Sequence, residues 1–290
     1  MPPATFDLDA YLERIGISGR PSLSALHRSH VASIPFENLD PHRGVPVSLE
    51  PDALQRKLVT QRRGGYCFEH NLLLAAALHA LGAEVDLLLG RVRLGRPAGR
   101  TSPRTHLVLR VRDGGGVWLA DAGFGNGTLL EPIPFGPGAT HEQGGWRFRI
   151  VTEGPEHVLQ TTGASGWIDL YGFAPEPVPT VDVETSNWFS STHPRSPFVT
   201  GLIVSTQGRD GSRAMLSDWT GLKLTEETAG GSARTETPVV PEQIPQLLER
   251  RFGLGGFRLD GGGRVVLAGV AGPGFPPTSG GRAAAWPRRS

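Results

Sequence analysis

The sequence predicts an α+β chain, helical at its N-terminal end and built of short strands beyond it. Apolar residues recur at helical spacing through the first eighty positions, and alternating strands separated by Gly, Pro and Asp begin directly after Gly82. Composition agrees: 40 Gly and 25 Pro among 290 residues, about 22%, is high for a helical protein but short of the level that signals disorder.

Leu8, Tyr11, Leu12 and Ile15 recur at i, i+3, i+4 and i+7, one face of a helix that Gly16 ends. Ser22 caps a second helix reaching His30 or Val31, and Pro35 stops it. Glu50, Pro51 and Asp52 start a third, with Leu54 and Leu58 facing inward. The fourth, residues 71–81, is rich in Leu and Ala, and Gly82 stands where a C-terminal cap belongs. Strands are expected at 85–94, 106–111, 117–122, 146–151, 157–162 and 167–173, a succession that suggests a barrel or a sandwich. Further strands at 201–206, 213–217 and 222–225 precede a helix near 241–252. Residues 272–290, rich in Gly, Pro, Ala and Arg, read as a mobile tail.

Charge excludes some functions. With 29 Lys+Arg against 28 Asp+Glu, the net charge of +1 gives no broad phosphate-binding surface, so nucleic acid is not an expected partner. Only Lys57 and Lys223 are lysines, which reads as genomic base composition. No run approaches the ~20 apolar residues of a membrane helix, and the first residues lack a signal peptide's basic start and apolar run. The expectation is a soluble, cytoplasmic protein. A single cysteine excludes an internal disulfide and a thiolate-rich metal site, and HExxH is absent, so no metal is expected.

That cysteine, Cys67, lies in the run Arg62-Arg63-Gly64-Gly65-Tyr66-Cys67-Phe68-Glu69-His70-Asn71, before the strongest helix. The two glycines allow a close backbone approach and leave N–H groups pointing at the sulfur. The helix start and nearby arginines favour a thiolate. The competing reading is a small buried hydrophobe. A cysteine nucleophile needs a base, and the base needs an orienting group. His106 starts one alternating strand and Asp121 ends the next. Pairing through the turn at 113–116 brings the two together at one end of the sheet. His70, three residues beyond Cys67, is the rival base. Neither a Walker loop, GxGxxG nor GxSxG is present, which leaves the thiol as the candidate covalent nucleophile.

The run 62–71 closely resembles the active-site signature of the arylamine N-acetyltransferases. Ile34-Pro35-Phe36-Glu37-Asn38-Leu39 resembles a second motif of that family, and Asp121-Ala122-Gly123-Phe124-Gly125 a third, with Ala122 where valine is common. Ser191-Thr192-His193-Pro194, running on to Phe198-Val199-Thr200-Gly201-Leu202, resembles a fourth, typical of bacterial members. The four stand in family order between about residues 30 and 202, and the likeness weakens beyond about 205.

The resemblance implies a helical bundle at 1–82 carrying the nucleophile, a β-barrel at 83–190 carrying His and Asp, and an α/β lid at 191–271. It implies a cysteine-protease-like triad of Cys67, His106 and Asp121. The implied reaction is ping-pong: acetyl-coenzyme A acylates Cys67, and a small aromatic amine or hydrazine takes the acetyl group. Phe36, Val92, Phe124 and Phe198 are implied as acceptor lining, each with core packing as its alternative. Thr105 and Gly125 are implied as coenzyme A contacts. A homodimer is the protein assembly allowed for. One alternative keeps the triad for a macrolactam-forming amide synthase releasing a polyketide from a carrier protein, for which Arg91, Arg93, Arg96 and Arg100 could form a basic dock. A silent binding protein and a protease-like hydrolase fit the motifs less well.

Overall fold

The computed structural model describes residues 6–96, 101–163 and 166–268; the expected tail at 272–290 and Arg100 lie outside them. Helices α1 (Leu8–Arg14) and α2 (Leu23–Ser33) lead through strand β1 (Phe36–Glu37) to two short helices, α3 (Leu39–His42) and α4 (Pro51–Leu54). The last continues into a π-helical turn (Gln55–Thr60) before α5 (Cys67–Ala80). Eight strands follow: β2 (Glu84–Val92), β3 (Arg104–Asp113), β4 (Gly116–Ala120), β5 (Ile133–Pro134), β6 (His141–Gln143), β7 (Trp146–Glu153), β8 (Glu156–Gly163) and β9 (Gly166–Phe173). The remainder alternates: α6 (Thr180–Thr192), α7 (Pro197–Thr200), β10 (Ile203–Gln207), β11 (Arg213–Ser217), β12 (Lys223–Glu227), β13 (Arg234–Pro238), α8 (Ile244–Phe252), β14 (Phe257–Leu259) and β15 (Val265–Leu267). Among the described residues no helix is long and apolar enough to cross a membrane.

The caps act where the sequence puts them. Asp7 accepts from the Ala10 N–H at 2.9 Å and Ser22 from the Ala25 N–H at 3.3 Å. Helix α5 starts four residues earlier than its Leu/Ala run, and α6 has no counterpart among the expected helices. The expected boundary at 190/191 falls inside α6.

Strands β2 to β9 form one antiparallel sheet in the order β5-β4-β3-β2-β9-β8-β7-β6. Its two edges meet through a side chain. Gln143 of β6 accepts from the Leu130 and Glu131 N–H groups at 2.9 and 3.1 Å and donates to the Glu131 carbonyl at 2.8 Å, curling the sheet almost to closure. Strand β3 is apolar on both faces because both are covered. Val108 points into the barrel with Leu88, Leu119 and Phe148, while Leu109 and Val111 face the bundle core of Tyr11, Leu26, Leu58 and Leu74. Each such side chain contributes about 1.5–3 kcal/mol on burial. The second sheet, β1-β10-β11-β12-β13, takes its first strand from the N-terminal region: Phe36 lies opposite Ser205. Helix α8 covers that sheet through Ile244, Leu248 and Phe252.

Two arginines of the basic patch suggested for a carrier protein are already paired with carboxylates. Arg93 pairs with Glu153, with Glu156 at 3.1 Å and with Asp169 at 3.4 Å, and Arg91 lies 3.6 Å from Glu156.

Candidate active site

Cys67 is the first residue of α5 and is only 2% exposed. It packs in a cluster with Phe36, Tyr66, Phe68, Leu107, Val183 and Ile203, where bundle, barrel and second sheet converge. Two glycines make that convergence physically possible. A Cβ on Gly64 would stand 2.0 Å from the Pro35 carbonyl oxygen, and one on Gly123 would stand 2.7 Å from the Cys67 Cα. The close approach expected of the glycine pair is present, but the N–H groups of Gly65 and Tyr66 are used elsewhere. Gly65 donates to the Pro35 carbonyl at 3.4 Å, and the Tyr66 N–H to Glu69 Oε2 at 3.0 Å.

The hairpin β3–β4 does what its turn predicts. Asp113 pairs with Gly116 and Leu109 with Ala120, which brings His106 Nε2 to 2.8 Å from Asp121 Oδ2. Both side chains are buried, at 2% and 0% exposure. Burial opposes charge on His106, but the Asp121 carboxylate and its hydrogen bond, with a smaller contribution from Cys67, raise its pKa to about 10. Burial likewise works against the Asp121 carboxylate; His106, Asn71 and the Gly123 N–H outweigh it and lower its pKa. With Nε2 committed to Asp121, Nδ1 is the ring nitrogen open to the sulfur. The thiol also lies 3.6 Å from the Thr105 carbonyl, so Thr105 meets the site through its backbone.

The arginines before Cys67 do not face the sulfur. Arg62 is exposed, and Arg63 is buried against Glu37 at 2.6 Å and Asp40 at 3.2 Å. Lys57 completes this cluster at 2.7 Å from Asp40 and 2.6 Å from Glu69. Burial raises the Glu69 pKa to about 7 against the pull of Lys57. The cluster therefore anchors the first turn of α5.

His70 is not a second base. Its Nε2 donates to the Pro35 carbonyl at 3.1 Å, and its Nδ1 accepts from His30 Nε2 at 2.9 Å. His30 Nδ1 in turn accepts from the Tyr11 hydroxyl at 2.8 Å. Burial lowers the His70 pKa to about 4, so it is neutral.

The three phenylalanines fall into two aromatic groups. Phe124 meets His106 edge-on at 5.1 Å, with Tyr171 4.6 Å from the same imidazole. Phe36 and Phe198 lie 6.1 Å apart, with Tyr66 5.3 Å from Phe198. Gly125, at φ +82°, is buried with its Cα against the Phe36 ring. Val92 pairs across strands with Tyr171 and is the member not brought into either aromatic group.

Sequence reasoning missed the support. Asn71, one turn beyond Cys67, donates to Asp121 Oδ1 at 3.0 Å and to the Leu107 carbonyl at 2.6 Å, and accepts from the Ala122 N–H at 3.0 Å. The Asp121 N–H donates to His27 Nε2 at 3.1 Å, and its carbonyl accepts from the Thr128 hydroxyl at 2.6 Å. Spacing i+4 from the cysteine was the available signal for Asn71; His27 had none. Among the described residues no group of His, Cys, Asp and Glu could hold a metal ion.

A family model described as N-acetyltransferase matches residues 21–256. The chain is 46% identical over 208 residues to an arylamine N-acetyltransferase of Mycolicibacterium smegmatis, covering 69% of this chain and 76% of that relative. A solved M. smegmatis arylamine N-acetyltransferase structure is similar at TM-score 0.80 and 40% identity, covering 86% of this chain and 92% of that one. The structure of Mycobacterium marinum arylamine N-acetyltransferase in complex with CoA is similar at TM-score 0.79 and 38% identity, covering 86% and 93%. This protein is an acyltransferase that belongs to the arylamine N-acetyltransferase family.

Proposed function

We propose that the protein moves an acetyl group from acetyl-coenzyme A to small aromatic amines and hydrazines, in two steps through a thioester on Cys67. The observation that carries this reading is the 2.8 Å contact between His106 and Asp121, set beside the chain's one cysteine. The CoA held by the M. marinum relative supports the donor.

Cys67 Sγ gives its proton to His106 Nδ1, and the thiolate attacks the acetyl carbonyl. The coenzyme A sulfur leaves and takes the proton from His106. The acceptor nitrogen then attacks the thioester carbonyl, His106 accepts the N–H proton, and the Cys67 thiolate departs. Asp121 holds the imidazole in one tautomer and stabilises its charged form throughout. The Cys67 N–H, at the first position of α5, is the donor available to the oxyanion once Gly65 and Tyr66 are spent. Phe36, Phe124 and Phe198 receive the flat acceptor ring, with Val92 at the barrel side, and Thr105 and Gly125 flank the coenzyme A arm.

Mass spectrometry after incubation with acetyl-coenzyme A alone tests the reading. One added acetyl group on Cys67, discharged by an aniline or a hydrazine, is expected. No adduct from acetyl-coenzyme A, or equal labelling of Cys67→Ala, overturns it.

A further inference from the structure

Strand β13 ends the order β1-β10-β11-β12-β13, and among the described residues no strand lies beyond it. All of its residues are exposed, so it is open on both faces as well as along its outer edge. The phase of its ladder is fixed at both ends. The Thr228 N–H donates to the Ala233 carbonyl at 3.0 Å, and the Val239 N–H to the Leu222 carbonyl at 3.1 Å. With Thr225 opposite Glu236 in register, the hydrogen-bonded pairs between them fall at Leu224–Thr237 and Glu226–Thr235. Arg234 and Glu236 hold the alternate positions, so their N–H and C=O groups point outward, away from β12. Pro238 shares that phase and has no N–H, which ends the usable edge.

The side chains along this edge are ordered by sign. Arg234 and Glu236 share one face of the strand and pair with each other at 2.6 Å. Arg234 also holds Glu227 at 2.9 Å, and Glu236 holds Lys223 at 2.7 Å. These charges cancel, so the edge has no net charge with which to repel its like. A strand edge carrying one sign resists pairing, whereas an alternating one favours the register that sets opposite signs together.

We propose that β13 is a homodimer interface, pairing antiparallel with β13 of a second copy about a two-fold axis through Thr235. The axis could centre on Arg234, on Thr235 or on Glu236. Centring on Arg234 sets two arginines opposite each other, and centring on Glu236 sets two glutamates together. Centring on Thr235 sets each Arg234 opposite the second copy's Glu236. In that register both residues turn their free N–H and C=O groups to each other, which makes two hydrogen-bonded pairs across the seam. The two Thr235 residues form the non-bonded pair between them. Across the seam the charges then alternate from Glu227 to Arg234 to the second copy's Glu236. The two five-stranded sheets join into one continuous sheet. The seam is short, so the association is weak and reversible.

Sedimentation velocity of the whole chain over a wide concentration range, with amide hydrogen exchange, tests the interface. A monomer–dimer equilibrium is expected, with exchange at Arg234 and Glu236 slowing as the dimer fills. Arg234→Glu and Glu236→Arg each set like charges opposite and weaken association roughly tenfold or more. An equimolar mixture of the two variants restores it, because each chain then meets the opposite charge. Glu236→Pro removes an outward donor without touching the β12 ladder, so it abolishes the dimer and leaves the unfolding midpoint near the parent's. A parent that stays monomeric at every concentration overturns the interface. So does a dimer that survives Glu236→Pro, or one that leaves exchange at Arg234 and Glu236 unchanged. Mixed charge variants that fold but do not associate overturn it as well. Should either charge variant not fold, Glu236→Pro decides alone.

Discussion

Asn71 holds Asp121 Oδ1 at 3.0 Å from one turn beyond Cys67, so a single helix carries the sulfur and fixes the carboxylate that bonds His106. Replacing Asn71 with Leu strands the Ala122 N–H and takes one donor each from the Leu107 carbonyl and from Asp121 Oδ1, which keeps the Gly123 N–H at 2.9 Å; each lost partner is worth about 1–3 kcal/mol in a buried site. Urea unfolding is expected to show a loss within a few kcal/mol of that sum. Iodoacetamide alkylation of Cys67 at pH 6 is expected to slow in the folded variant.

Asp121→Asn keeps the shape of the side chain but offers an amide to His106, favouring the wrong imidazole tautomer. The expected cost in acetyl transfer is on the order of 10³–10⁴-fold with little change in Tm. His106→Gln is expected to be as inactive. Alkylation of Cys67 at the parental rate in either variant would remove the triad assignment.

Lys57 is the cation between Asp40 and Glu69, and Glu69 caps the Tyr66 N–H at the start of α5. Lys57→Met leaves the buried Glu69 without its cation, while Asp40 keeps Arg63 and Arg43, and roughly 3–5 kcal/mol of stability is expected to be lost. Chemical denaturation measures it, and a loss under 1 kcal/mol contradicts the anchoring role.

The neutral His70 makes the fold sensitive to acid. Its pKa of about 4 lies below the ordinary ~6.5, so its contribution is present above pH 6.5 and lost as pH falls from 6.5 towards 4, on the order of 3 kcal/mol. His106, raised to about 10, acts in the other direction: its contribution is present below 6.5 and lost as pH rises towards 10. Urea midpoints are expected to fall on both sides of a maximum near pH 6.5. His70→Gln, which keeps a donor for Pro35, is expected to shrink the acid limb and leave the alkaline one; the remainder comes from His30 and His27, whose pKa values burial also lowers.

Asn38 donates to the carbonyls of Phe198 and Gly201 at 2.8 and 2.7 Å and accepts from the Ile203 N–H at 2.8 Å. It is the tie that seats Phe198 opposite Phe36. Asn38→Ala is expected to raise KM for anilines several-fold while the thioester still forms from acetyl-coenzyme A. Steady-state kinetics alongside the mass assay separates the two effects.

Much of this was legible because its signals are local. Period-2 alternation located β2, β3, β4, β7, β8 and β9, and the short turn at 113–116 was enough to bring His106 to Asp121. Strands β1, β5 and β6 have two or three residues, too few to carry a period. Helix α6 escaped because Thr, Val and Ser are indifferent helix formers. Its hydroxyls turn back on the helix instead of marking a cap: Thr185, Ser190, Ser191 and Thr192 donate to carbonyls four residues back. The start of α5 was set by Glu69 and the ionic cluster behind it, which join residues from four separate stretches of chain. The support from His27 and Asn71 is likewise tertiary, and the i+4 spacing of Asn71 from Cys67 is the one local trace of it.

The His27 ring joins two parts of the barrel from outside it. Its Nδ1 donates to the Leu130 carbonyl at 3.0 Å, beside the Gln143 closure, while its Nε2 takes the N–H of Asp121. The backbone of Asp121 is thus fastened to one bundle helix, and Cys67 sits on another. Bundle and barrel cannot separate without parting Cys67 from His106 and Asp121, so acetyl transfer by the proposed route is expected to be an all-or-none property of the assembled chain. Activity and native structure are expected to disappear together on denaturation, with no working remnant in either half.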